Sequence, residues 1–147
     1  MRSDKKKARE QEIETAAYEI LEEKGFGRFS IQAVARRARA SNETIYRWYT
    51  DKNGLFAALI RRNTTLVEDA IEATPGNAMD RLVVLGPTLL GMLLGKRAIA
   101  LNRAAAADTS GTLGRILAES GRDRVAPQIE SIMQDAISEG SIGGDPG

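Results

Sequence analysis

The chain has 147 residues, of which 42% are apolar and 28% charged, with a formal net charge of +1 at pH 7. That suits one or two small domains with a buried core. Cysteine and histidine are both absent, which excludes disulfides, thiolate zinc sites and redox motifs and removes the commonest general base and metal ligand. The expectation is a protein that is not an enzyme and that uses no metal and no cofactor.

Good helix formers dominate, aromatics make up 5% of the residues, and no β-branched alternation of any length occurs, so the expected fold is all-α. The N-terminus MRSDKKKAREQ is basic but leads into no apolar run, so no signal peptide is expected. The most apolar stretch, residues 82–94, falls far short of the roughly 20 residues needed to cross a bilayer. A cytoplasmic location without membrane contact is expected.

Residues 1–7 read as a basic arm, expected to be disordered. A first helix is expected over residues 7–24, with Ile13, Ala16, Ala17, Ile20 and Leu21 as its buried stripe and Glu10, Glu12, Glu14, Glu22 and Glu23 mostly outward. Gly25 is its C′ residue, because glycine tolerates positive φ. Phe26 and Phe29 bracket Gly27 and are expected to plug a small core. A second helix over residues 31–38 places Ile31, Val34, Ala35 and Ala38 at i, i+3, i+4 and i+7 on one face, with Ser30 as N-cap. Arg39 and Ala40 make a tight connection. A third helix over residues 42–49 starts from Ser41 as N-cap and turns Ile45, Trp48 and Tyr49 inward.

Asp51 caps a fourth helix ending near Thr74. Leu55, Leu59, Leu66 and Ala70 form one row along it and Phe56, Ile60, Val67 and Ile71 the next, a broad apolar face suited to bridging two cores. Pro75 and Gly76 stop it. A fifth helix over residues 78–94 is expected to be kinked or split by Pro87. A sixth covers residues 96–107, and residues 108–111 form a connection. Leu113, Ile116, Leu117, Val125, Ile129, Ile132, Met133, Ala136 and Ile137 then mark one long or two consecutive helices, interrupted near Gly121 or Pro127. Gly140 is a C-cap, and residues 143–147 are expected to be disordered.

The second and third helices, joined by a short turn, have the pattern of a helix-turn-helix DNA reader. The third opens with the short polar run Ser41, Asn42, Glu43 and Thr44, which can enter a major groove about 12 Å wide. Residues 28–52 hold six basic side chains against two acidic ones, net +4. Basic side chains neutralise phosphates and release counterions, which supplies sequence-independent affinity for DNA. Residues 1–54 are net +3 and residues 55–147 net −2, a basic head on a mildly acidic body.

Residues 8–56 resemble the DNA-binding domain of the TetR family of bacterial repressors. The resemblance rests on Gly25 and Phe26, on Phe29-Ser30-Ile31, on Val34, Ala35 and Ala38, and most on Ser41-Asn42-Glu43-Thr44-Ile45-Tyr46-Arg47-Trp48-Tyr49, followed by Asp51-Lys52 and Leu55-Phe56. It implies a three-helix DNA-binding domain over residues 1–54 and a helical ligand and dimerisation bundle over residues 55–147. Relatives are longer, and their last two helices commonly make most of the dimer contact, so the bundle here is expected to be C-terminally short. The region of Leu85, Leu89, Met92 and Leu93 would then lie partly uncovered.

The implied function is a sequence-specific transcriptional regulator, a repressor binding a palindromic operator as a homodimer and released by a small apolar or amphipathic effector. The alternative is a helical protein-interaction module whose basic face meets an acidic partner. The implied partner of the leading reading is double-stranded DNA. Ser30 and Gln32 are candidate phosphate contacts at the start of the second helix, where free N–H groups favour anions. Ser41, Asn42, Thr44, Tyr46 and Arg47 are candidates on the third. In the family, positions matching Thr44, Tyr46 and Lys52 contact DNA. The arm residues Arg2, Lys5, Lys6 and Lys7 could lie along phosphates, and Arg36 and Arg37 are further contact candidates.

Two positions depart from the family pattern. Arg39 stands where most relatives have glycine; either the turn has another geometry, or a left-handed strain of roughly 1 kcal/mol is accepted for an added positive charge. Glu43 stands where relatives often carry a small residue, and either faces away from DNA or accepts from a cytosine amine. No residue is assigned to the effector.

Overall fold

The computed structural model describes residues 2–140, and the glycine-rich tail lies outside them. The described residues form helices joined by short turns, without a strand: α1 (Arg2–Lys24), a 3-10 turn (Phe26–Arg28), α2 (Ile31–Ala38), α3 (Asn42–Tyr49), α4 (Lys52–Ala73), α5 (Ala78–Leu93), α6 (Lys96–Ala107), α7 (Thr112–Leu117) and α8 (Asp123–Ser138), with a π-turn over Ala118–Arg122 between the last two.

The first core gathers the apolar stripe of α1, the inner faces of α2 and α3, and the start of α4. Phe29, Phe56, Ile13, Ile45, Leu55 and Leu59 are at most 1% exposed there. Phe26 stacks on Phe29 with ring centroids 5.6 Å apart and meets Phe56 edge-on, also at 5.6 Å. Both phenylalanines flanking Gly27 therefore close this core, as their spacing implies. Ala100, Leu101 and Ala104 of α6 and Leu113 of α7 belong to the same cluster. A second core lies between α4, α5 and α8, built on Val67, Ile71, Ala78, Leu85, Ile132 and Ala136. Helix α4 runs unbroken through residues 54 and 55 and contributes to both.

Several expectations are corrected. The basic arm is helical from Arg2. Nothing in residues 3–7 is a helix breaker, Asp4 lies in the first turn where a carboxylate meets the positive end of the dipole, and Lys6 reaches Glu10 one turn on at 3.9 Å. Glu14 is buried, because the flank of α1 that carries it faces α4; there Arg62 Nε meets Glu14 Oε1 at 3.3 Å and Arg62 Nη2 meets Glu10 Oε2 at 3.3 Å. Leu66 is 47% exposed, since neither core reaches that side of α4.

Pro87 does not split α5, which stays one helix of 16 residues. The proline lies on its exposed side, where water can serve the carbonyl that lacks an N–H partner. The last helical stretch is interrupted at the π-turn around Gly121, while Pro127 sits in the first turns of α8. Gly140 follows α8 with φ of 71°, the left-handed C-cap conformation that its position implies. Among the described residues, no single helix is long and apolar enough to cross a membrane.

Of the region expected to be uncovered, Leu85 is buried and Leu89 and Met92 are partly covered, whereas Leu93 is 63% exposed. The uncovered apolar face of α5 is instead formed by Val83, Val84, Leu90, Leu93 and the capping residue Leu94.

Candidate nucleic-acid interface

Helix α2 starts at Ser30, whose Oγ accepts from the Ala33 N–H at 3.0 Å. It is pinned by buried Ile31, Val34 and Ala35, which leaves Gln32 and Arg36 outward. Arg39 at its C-terminus has φ 55° and ψ 41°. The turn thus keeps the left-handed geometry that glycine would adopt freely, and Arg39 carries the associated cost.

Two hydrogen bonds from α1 secure that turn. Arg9 Nη1 donates to the Ala38 carbonyl at 3.0 Å and Nη2 to the Arg39 carbonyl at 2.5 Å. These carbonyls belong to the end of α2 that has no onward helical partner. Arg9 carries no local sequence signal for this role, because its acceptors lie 29 and 30 positions away.

Helix α3 begins at Ser41, whose Oγ accepts from the Thr44 N–H at 3.1 Å and donates its own proton to Thr44 Oγ1 at 2.8 Å. The serine hydroxyl is committed to the cap, while the Thr44 hydroxyl proton stays free. Ile45 is fully buried and fixes the rotation of the helix. The opposite face presents Asn42, Glu43, Tyr46 and Arg47, with Tyr46 45% exposed. Their spacing of one and four residues places them on one side of α3. Trp48 and Tyr49 are half-buried against the first core. Lys6 lies 5.3 Å from the centre of the Trp48 ring, so the start of α1 rests on α3.

The basic candidates separate into committed and available groups. Arg37 grips Glu23 with both terminal nitrogens at 3.0 and 2.9 Å and meets Glu19 at 3.5 Å, so its charge is spent within the fold. The Glu23 carboxyl is correspondingly held below its ordinary value by the Arg37 hydrogen bond. Arg36, Arg39 and Arg47 are exposed, and their guanidinium groups meet no partner among the described residues. Lys52 donates to the Phe26 carbonyl at 2.8 Å and sits 3.9 Å over the Phe26 ring. Partial burial lowers its pKa from 10.5. Its ammonium has two further N–H donors, so the inward bond leaves capacity for an anion. Asp51 caps α4 by accepting from the Gly54 N–H at 2.7 Å.

Comparison with known proteins follows the same outline. Residues 13–59 match the model of the bacterial regulatory proteins of the tetR family. An uncharacterized HTH-type transcriptional regulator of Mycobacterium tuberculosis is 32% identical over 136 residues, covering 91% of this chain and 65% of its own length. The HTH-type regulator YdeS of Bacillus subtilis is 28% identical over 138 residues, covering 88% of this chain and 65% of its own. The chain therefore spans just under two-thirds of the length of these relatives. The crystal structure of a TetR transcriptional regulator from Agrobacterium tumefaciens superposes with a TM-score of 0.67 at 28% identity, covering 89% of this chain and 68% of that one. The three-helix head over residues 13–59 is thus of the kind found in the bacterial regulatory proteins of the tetR family, which the rest of the chain also resembles in fold.

Proposed function

We propose that the protein is a sequence-specific DNA-binding transcriptional regulator, with residues 1–54 as its DNA-binding domain and residues 55–147 as its regulatory domain. The observation that carries this reading is α3: a buried Ile45 on one side, and Asn42, Tyr46 and Arg47 turned outward beside the unpaired cations Arg36 and Arg39. The outward side chains can reach base edges, and the cations can meet the flanking phosphates. Ser30, Gln32, Thr44 and Lys52, with Ser41 through its backbone N–H, complete the proposed contact set.

The regulator acts as a repressor on a palindromic site. A two-fold dimer sets two copies of α3 about 34 Å apart in successive major grooves. The exposed apolar face of α5, with Val83, Val84, Leu90 and Leu93 each more than half exposed, supplies a surface for the second copy. A cavity of about 410 Å³ between α4, α5, α6 and the α7–α8 stretch receives the effector. Ile60 and Leu101 line that cavity and also belong to the core under α3. A ligand that favours one packing of these residues shifts the spacing of the reading heads by its differential affinity.

The test is selection of binding sites from random double-stranded DNA at physiological salt. An enriched palindrome supports the dimeric regulator, and an enriched single half-site retains the DNA reading but removes the dimer. Salt-sensitive binding without enrichment overturns the reading in favour of a basic protein-interaction module.

A further inference from the structure

The cavity lining has a chemistry that selects among effectors. Most of it is hydrocarbon, with Val67, Leu89, Leu101, Val125 and Ile129 on facing helices. Its polar side chains are Asn63, Thr64, Asn102 and Arg122. Among the described lining residues Arg122 carries the one formal charge, and none is a carboxylate. A cation moving into the hydrocarbon interior would lose hydration and find no carboxylate among the described lining residues to replace it.

The hydrogen-bonding capacity points the same way. The Thr64 hydroxyl proton is already shared between the Ile60 carbonyl at 2.9 Å and the Ser120 carbonyl at 2.8 Å. Asn102 spends one N–H on the Ala98 carbonyl at 2.8 Å and keeps the other. The Asn63 amide is free of partners among the described residues. Together with Arg122, these groups offer several unspent donors, which an acceptor-rich ligand end would satisfy.

Position matters as well. The π-turn over Ala118–Arg122 contributes Ala118, Gly121 and Arg122 to the wall, a backbone irregularity of a kind found often at ligand sites. The Arg122 side chain is 77% exposed and meets Asp123 at 3.6 Å. Its head therefore stands at the rim in water, where an anionic group could approach without full desolvation.

We propose that the cavity binds an amphipathic monoanion, its apolar body among Val67, Leu89, Leu101, Val125 and Ile129 and its carboxylate-type head at the Arg122 rim. This rests on the reading of the cavity as the effector site and adds the chemical class that the site selects.

The test measures binding calorimetrically on the full chain, without DNA, using decanoate, decanol and decyltrimethylammonium below their micellar concentrations. Decanoate should bind best and the ammonium worst. Arg122→Gln, at an exposed position, should lower the preference for decanoate over decanol by about fivefold, the scale of an exposed charge contact, and leave decanol affinity unchanged. Ile129→Trp should abolish binding of both, with folding checked by thermal melting. Equal or tighter binding of the ammonium, an unchanged preference in Arg122→Gln, or no binding by either decanoate or decanol would each overturn the proposal. A separate arm adds decanoate to the protein–DNA complex. Binding of decanoate without release of DNA would retain the ligand class and overturn the regulatory reading instead.

Discussion

Arg9 on α1 donates to the main-chain carbonyl of Arg39 at 2.5 Å, across 30 positions of sequence. The residue that receives this bond is itself in the left-handed region, at φ 55°. A side chain from one helix thus braces the strained turn that aims another. Removing the strain should register directly. Arg39→Gly is expected to stabilise the fold by about 1 kcal/mol, measured by urea denaturation with an unchanged m-value.

The brace has its own prediction. Arg9→Met should destabilise by about 1 kcal/mol, since two terminal carbonyls of α2 lose a partly exposed charged donor. In the Arg39→Gly background the same change should cost less, because glycine holds the turn unaided. A double-mutant cycle reads this coupling, and strictly additive effects would separate the brace from the strain.

Lys52 tests whether one side chain serves both fold and DNA. Its ammonium is held by the Phe26 carbonyl and ring, so Lys52→Ala should lose roughly 1 kcal/mol of stability. It should also weaken DNA binding similarly across sequences and lower the salt slope by about one unit. A stability loss with an unchanged slope would confine Lys52 to the fold.

Asn42 should behave differently. It is exposed at the start of α3, so Asn42→Ala should leave the melting temperature in place. The expected change is in base preference at one operator position, worth roughly 1–3 kcal/mol, read by repeating the site selection with the variant.

Glu14 supplies a pH dependence. Burial raises its carboxyl above the usual 4.5, and the Arg62 charge only partly opposes this. A raised folded-state value means that the folded protein binds the proton more tightly. The stability tied to this group is then fully present below pH 4.5 and is lost as pH rises through the folded value. Compared with Glu14→Gln, the wild type should therefore lose relative stability on going from pH 4 toward neutrality. Thermal melts of both proteins over that range check it, and a difference that grows in favour of the wild type would reverse the assignment.

The local signals in the sequence determined most of the helices and the caps of α2, α3 and α4. Ser30, Ser41 and Asp51 each accept from the backbone N–H three residues on, and the apolar periods of α1 to α4 name most of the first core. These features are legible because capping and helical periodicity act within one or two turns. The outward face of α3 follows from the same period once Ile45 is placed inside. Tertiary structure alone decided which charges are spent and which remain. Arg37 pairs across to α1, Arg9 reaches the α2–α3 turn, Glu14 is buried against Arg62, and α6 enters the core of the reading head. Each depends on two segments far apart in the chain arriving at one point, and the energy of such a meeting leaves no mark on the spacing within either segment. The cavity is of the same kind, since Arg122 comes to stand beside an apolar space only when α4, α5, α6 and the α7–α8 stretch meet.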